Sequence, residues 1–527
     1  MKETAQHRFE SMTQWRSVAL RRAIDNSALT LPTLIPESDQ ADPLSPTWNN
    51  IPSLYQGVGA RGVNSLAARL LLSLYPPAVP FFRLTMDASK IRDYAAANGG
   101  QEEDITSKLD QVLSSMERQM LRRLDQVQAR SAVFEALKHL IVGGNALLYC
   151  SPENIRMYGL RSYCVDRDPE GNVVEICLRE QVSKKFVPGK AETNDTEPNA
   201  DVYTHVSIDP DNDRVEWFQE HEGKKLPNSQ GFSRLDNSPW LVLRWGRVAG
   251  EPYGRGLVES MINDLQALES LSQAIVEGSL IMAKAVGLVN PNGTTRADVL
   301  AKAKNGAIVA GNAADVEFLQ VQKSNDFSVA LQTMQMIERR LSFSFLLNEA
   351  VQRDAERVTA EEIRLMAEQL EQGLGGVYTV LAEELQLPLI RRIMFLMERD
   401  GELPPVPKGL VEPQITTGLE AIGRGNDKQR LTEFLSTIAT ALGPDQFLSY
   451  INPTELIRRF AAADGIDTAG LVRSEEELQA EQAQAEQAML AQSLTQGAIS
   501  NGSTNPPQIP AGAAPAAGAT PAPVPGG

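Results

Sequence analysis

Three groups of residues have types and spacings on which chemistry could be built. Gly57, Gly59 and Gly62 in GVGARG carry the GxGxxG spacing that lets a tight turn bring backbone N–H groups against a pyrophosphate, and the acid Asp87 follows the next apolar run. That chemistry needs a strand just before the first glycine. The preceding WNNIPSLYQ has Pro52 in its middle and lacks a buried apolar run, so close helix packing is the expected use of these glycines. Asp209 to Glu220, DPDNDRVEWFQE, places oxygen ligands at positions one, three, five and twelve of a calcium loop. Arg214 stands at the sixth position, where glycine makes the sharp turn, and the flanks alternate as strands do, so an acidic hairpin tip is expected. His7, His139, His205 and His221 show no metal-ligand spacing with one another or with Cys150, Cys164 and Cys177. No GxxxxGK[ST], HExxH or GxSxG occurs, so no P-loop motor is encoded and no catalytic or cofactor signature stands out.

A fourth group is a charged loop. In NEAVQRDAERVTAEEIRLM, from Asn348, polar and charged residues dominate up to Thr359, and Thr359 with Glu362 has the spacing of a capping box that opens a helix. Asn348, Gln352, Arg353 and Arg357 offer amide and guanidinium donors, while Glu349, Asp354 and Glu356 offset their charge locally.

Composition limits what such a loop serves. The 527 residues suffice for about three or four domains at ~150 residues each. Apolar residues make up 42% and charged residues 22%, an ordinary globular balance, and the formal net charge is -17. A protein this acidic does not gather DNA phosphates by counterion release, which excludes a tight nucleic-acid binder but not a surface that DNA must pass without sticking. No apolar run approaches the ~18 residues of a membrane span, so no membrane partner is expected. The N-terminus lacks the apolar core of a secretory signal and reads as an amphipathic helix. Three cysteines without a CxxC suit a reduced, intracellular setting for folding.

The elements that must position these residues follow from periodicity. Helical patterns cover residues 4–74 with a Pro-rich break, the strongly apolar 64–75 stopping at Pro76-Pro77; VPFFRLTMD is a short strand, and helices are expected over 101–126 and 133–140. NALLYC is a strand. Two alternating hairpins follow, around DPEGN and PDND, joined by a loop at 184–200, and PWLVLRWGRV is expected to close this antiparallel region. A helix over 257–285 and another over 327–347 bracket a compact insert, 286–323, with strand-like AVGLVN, GAIVA and VEFLQV. Ser272, Ala274, Gly278, Ser279 and Ala283 would let a neighbouring helix approach the first closely. A third helix, 360–399, is expected to bend at Gly373, Gly375, Gly376 and Pro388, before a linker, a short strand and helices over 426–460. Beyond Glu486 no charged side chain occurs and a disordered tail is expected. Two long helices with a small domain at one end form an extended leg that buries little alone. Packing against further copies is then expected, and rings close such head-to-tail contacts.

Three stretches, YQGVGARGVNSLAARLLLSLYP, AERVTAEEIRLMAEQLEQGLGGVYTVLAEELQLPLI and EPQITTGLEAIGRG, resemble the portal, or head-to-tail connector, proteins of short-tailed (podovirus-class) bacteriophages, a likeness running from His7 to Ser474. The resemblance implies a mostly helical α+β chain with an α/β wing (1–254), stem helix one (255–285), a small α/β clip (286–324), stem helix two (325–347), a tunnel loop (348–358), a long kinked wing helix (359–408), a helical crown (409–474) and an acidic helix followed by the tail (475–527). It implies a homo-oligomer, a dodecamer, at one capsid vertex of the virion, assembled in the host cytoplasm, that conducts double-stranded DNA in packaging and ejection. The implied partners are the terminase motor, a tail adaptor, and capsid and internal core proteins, with no cofactor, metal or catalytic residue. Asn348, Glu349, Gln352, Arg353, Asp354, Glu356 and Arg357 would meet the DNA, and Arg296, Lys302 and Lys304 would dock the motor or adaptor. The alternative from another class is a soluble nucleotide-dependent enzyme using GVGARG.

Overall fold

Burial organises the chain around an apolar helix that starts at the GVGARG motif. The computed structural model describes residues 4–37, 53–76, 80–86, 102–187, 199–283, 287–304, 306–318, 324–347, 373–374, 376–403 and 411–415, with a few helical residues between 432 and 460. The chain divides into two units, 1–424 and 425–527, and the elements below belong to the first.

Helix α1 (Ala5–Ala28) opens at Thr4, whose hydroxyl accepts the His7 amide. Its inner face repeats at steps of three and four: Ala5, Phe9, Met12, Arg16, Ala19 and Ala23. Arg16 is tolerated there because its Nη1 donates to the carbonyls of Leu160, Arg161 and Tyr163. Helix α2 (Val58–Leu74) buries Val63, Leu66, Ala67, Leu70 and Leu74 completely. Strand β1 (Phe82–Met86), helix α3 (Glu102–Gln126) and helix α4 (Ala129–Gly143) surround it in one apolar core.

Strands β2 (Asn145–Cys150) and β3 (Ile155–Tyr158) lead to the two expected hairpins: β4 (Tyr163–Arg167) with β5 (Val173–Ser183), and β6 (Asn199–Asp209) with β7 (Arg214–His221). Short strands β8 (Lys224–Lys225) and β9 (Gly231–Ser233) both pair with β7, completing a six-stranded antiparallel sheet against which α1 packs. Strand β10 (Trp240–Arg244) departs from expectation. It does not close the hairpin region but pairs antiparallel with β2 in a separate sheet ordered β10-β2-β3. Its residues are covered along their whole length rather than alternately, like those of β2, which suits a strand clasped by core helices and not a hairpin edge.

A 3₁₀ turn (Val258–Met261) opens helix α5 (Ile262–Ala283). Strand β11 (Gly287–Val289), the short helix α6 (Ala297–Lys302) and strand β12 (Val316–Phe318) form the insert, and helix α7 (Ser324–Ser344) returns against α5. The strand expected from GAIVA is absent: residues 306–310 are not in a strand, and Ile308 is fully exposed, so no sheet face was available to bury it. The small residues of α5 act as expected at Gly278, where a Cβ would fall 2.3 Å from the Phe327 ring, and at Ser272, whose hydroxyl donates to Met334 Sδ at 3.6 Å.

The third long helix is interrupted where Pro388 predicts. A π turn (Ala382–Gln386) precedes helix α8 (Leu387–Arg399), since proline supplies no N–H and its ring crowds the preceding turn. Strand β13 (Val411–Ile415) then pairs antiparallel with β1. The chain is mixed α+β, about half helical, which is less helix-dominated than the expected architecture.

The π turn aims Glu384 at β10. Its Oε1 accepts Arg244 Nη2 at 2.6 Å and Nε at 3.0 Å, its Oε2 accepts the Arg244 amide at 2.7 Å, and Arg247 Nε adds a bond at 3.2 Å. Both main partners are largely buried, with side chains 7% and 10% exposed. Glu384→Ala strands Arg244 without its counter-charge and should lower stability by about 3 kcal/mol in urea denaturation. A loss below ~1 kcal/mol would show that the arginine finds other compensation.

Candidate functional site

Two surfaces and one buried cluster hold the residues with functional potential. The first surface is the end of α7. Residues 348–358, and with them Asn348, Glu349, Gln352, Arg353, Asp354, Glu356 and Arg357, lie outside the described residues. The chain ends that carry them are described. Leu347 N donates to Ser342 O at 2.7 Å and Leu346 N to Phe343 O at 3.0 Å, the bond pair of a Schellman cap, with Leu346 in the left-handed region at φ 55°.

GVGARG abuts this end. The described residues just before it, 53–57, form no strand, and the role that a pyrophosphate would take is filled by protein: Gln56 Oε1 accepts the Gly59 amide at 3.0 Å, while Gln56 Nε2 donates to Leu29 O at 2.8 Å. A Cβ on Gly62 would lie 2.5 Å from the Phe345 ring. Gly59, where a Cβ would fall 2.7 Å from the Leu29 carbonyl oxygen, and Gly62 are therefore packing elements, and the nucleotide-site alternative fails on the geometry that it requires.

The second surface is the insert. Arg296 stands at the start of α6, Lys302 in its last turn and Lys304 just beyond, and all three are exposed. Asp315 builds the scaffold under them, its Oδ2 accepting the Thr294 and Thr295 amides at 2.8 and 3.1 Å and both hydroxyls at 3.2 and 3.1 Å. Desolvation pushes this carboxyl up, but the four hydrogen bonds outweigh it and hold it below the usual range. Leu288, Val299 and Ile308 of the same insert are exposed as well. Exposed apolar and cationic side chains on one small insert suit contact with another protein better than capture of a small ligand.

The buried cluster was not legible as a spacing. Strand pairing sets Cys177 opposite His205, and alternation puts Glu175 on the same face as Cys177. Glu175, Cys177 and His205 are a set of side chains whose donor atoms converge closely enough to consider a metal. The position is already filled by a cation. Arg8 from α1 grips both Glu175 oxygens, with bonds of 2.6 to 3.0 Å, and His205 Nε2 lies 2.7 Å from Oε1. Burial, then the Glu175 charge, pushes the Cys177 thiol far up, so it is no thiolate ligand. The cluster is a clamp for α1, reinforced by the Ala5 amide donating to buried Glu220 at 2.5 Å. The hairpin reading of residues 209–220 holds as well, because Asp209 accepts from the amide and side chain of Asn212 within its own turn.

Residues 2–472 match the family described as bacteriophage head to tail connecting protein. The chain belongs to this family. It is similar to the portal protein of Escherichia phage T7, with 40% identity covering 89% of this chain and 88% of the relative. The portal protein of Enterobacteria phage T3 is 40% identical over 90% and 88%, and that of Pseudomonas phage phiKMV 31% identical over 88% and 90%. Among solved structures, a chain in the neck of an empty GTA particle covers 78% of this chain and 90% of its own at 14% identity and a TM-score of 0.37, too distant to support a structural argument. The connector is a structural component of a phage virion and not an enzyme. Among the described residues no helix is long and apolar enough to cross a membrane.

The α1 clamp makes the connector acid-sensitive in a defined window. Burial alone would raise the Glu175 carboxyl, but hydrogen bonds from His205 and Arg8 hold it down to about 2, against an ordinary 4.5. A depressed folded pKa gives stabilisation that is present above pH 4.5 and is lost as pH falls towards 2. Glu175→Gln should lower the thermal midpoint at neutral pH and flatten its decline across that window. An unchanged slope would place the acid dependence elsewhere.

Proposed function

We propose that this connector assembles as a ring of twelve copies at one capsid vertex and conducts the duplex genome during packaging and ejection. The observation that carries this is an uncovered seam on α7. Val329, Met336 and Phe343 recur every seven residues and are 63%, 66% and 77% exposed, while Ile337 and Leu341 on the other side of the helix already pack inside the chain. A seven-residue apolar repeat is the spacing with which one helix packs along another. On α5, Val276 and Leu280 are also exposed, at 44% and 60%, so each hairpin offers two different apolar faces. Contacts between unlike faces propagate from copy to copy and form a ring where the rotation between neighbours closes.

In this reading α5 and α7 are the stem helices, residues 286–324 the clip, 348–358 the tunnel loop, 1–254 with 359–408 the wing, and 409–474 the crown inside the head. The clip docks the terminase motor and afterwards the tail adaptor, and Asn348, Glu349, Gln352, Arg353, Asp354, Glu356 and Arg357 touch DNA in transit. A charge of -17 per chain supports conduction over capture, since phosphates meet a repelling wall and only brief, locally balanced contacts.

Native mass measurement with negative-stain imaging tests the assembly. The wild-type chain should give a holed ring near twelve times 57.6 kDa. Met336→Glu with Phe343→Glu should leave the fold intact and yield monomers or small oligomers; a full-size ring from that variant would remove α7 from the interface. Reversing Arg296, Lys302 and Lys304 to Glu should spare the ring and weaken motor or adaptor binding at least tenfold, because three favourable interactions become repulsive. Unchanged binding would take these residues out of the docking surface.

A further inference from the structure

We propose that Gly62, Arg69, Phe345 and Leu346 form a latch that fixes both the point where the chain leaves α7 and the point where it returns at Gly373, and thereby sets the exit and return points of the segment between them. The proposal rests on the reading of 348–358 as the segment that meets DNA.

Four observations converge on it. The Phe345 ring lies flat on Gly62, within 2.9 Å of where three ring atoms would meet a Cβ, and Phe345 is completely buried. The next residue, Leu346, sits at φ 55°, a conformation that glycine adopts freely and leucine does not. A Schellman cap takes glycine by preference at this position, so the side chain must do something that glycine cannot. It meets the returning chain: a Cβ on Gly373 would lie 3.3 Å from Leu346 Cδ1 and 3.4 Å from Cδ2. Finally, Arg69 Nη1 donates to the Leu346 carbonyl and holds the strained residue from the α2 side.

Helix α2 grips the returning segment too. Ser73 Oγ accepts the Tyr378 hydroxyl at 2.9 Å, and the Leu74 carbonyl accepts Gln386 Nε2 at 2.9 Å. Gly62, Arg69 and Ser73, seven and four residues apart, share one face of α2. One rigid helix thus holds both ends of a 25-residue segment, and the strain at Leu346 is maintained because its surroundings over-determine it.

The test uses the assembled full-length protein and the variants Arg69→Ala and Leu346→Gly. Trypsin cleavage after Arg353 and Arg357 is followed by fragment mass, alongside the thermal midpoint. Leu346→Gly removes backbone strain, so a purely structural role predicts an unchanged or raised midpoint and unchanged cleavage. The latch predicts about tenfold faster cleavage at those two sites in both variants, with the midpoint held within about 2 °C, because only the local opening equilibrium shifts. Cleavage within twofold of wild type in both variants overturns it. Gly62→Ala should resemble them, and if it folds poorly the other two decide. Deleting residues 348–358 separates the two readings. Full DNA retention in particles carrying that deletion would remove the DNA-contact role, while the latch would stand or fall on the cleavage rates.

Discussion

A helical hairpin packed on one side only is the constraint from which the rest of this protein follows. Helices α5 and α7 bury Leu265, Leu268, Ile337 and Leu341 against each other and the core, and leave Val276, Leu280, Val329, Met336 and Phe343 in water. The insert between the two helices, paired through β11 and β12, leaves apolar residues of its own exposed as well. In the ring proposed above, copies of the chain supply a cover of matching chemistry. The insert between the two helices also exposes Arg296, Lys302 and Lys304.

An acidic chain faces a second demand, since charge that repels DNA also strains the fold. Part of the answer is that several carboxylates are structural. Glu175 clamps α1, Glu384 ties the π turn to β10, Glu269 accepts the Tyr55 and Gln56 amides ahead of α2, and Asp315 gathers four donors in the insert. Each serves as a counter-ion or a cap for groups that would otherwise be orphaned.

What was legible in the sequence divides along the same physical line as local and non-local structure. Helices α2, α5 and α7 and both hairpins were readable, because apolar period and turn residues are local signals. Their ends shifted where capping depends on distant groups: α2 starts at Val58, six residues before the apolar run, because Gln56 and Leu29 complete its first turn. Strand partners distant in the sequence were not readable. An apolar run such as WLVLR announces burial without naming β2, and FRLTM does not name VEPQI more than three hundred residues on. The Glu175 cluster was missed for the same reason, since pairing and not spacing brings it together. The basic positions of the insert were identified by type alone and are exposed; the mixed-charge loop of 348–358 falls outside the described residues.

GVGARG shows how a motif can be locally ambiguous and globally decided. Its glycines are equally compatible with a phosphate against backbone amides and with a helix that accepts another group at its surface. The deciding facts lie in its surroundings: the described residues 53–57 form no strand to aim the turn, Gln56 occupies the amide that a phosphate would claim, and Phe345 needs the space at Gly62. Backbone that approaches another group this closely can be held only by glycine, whether that group is a nucleotide or a phenylalanine ring. In this connector the ring belongs to the last turn of the helix that leads into residues 348–358. The motif that first suggested a cofactor is better understood as the seat of the segment proposed to meet the genome.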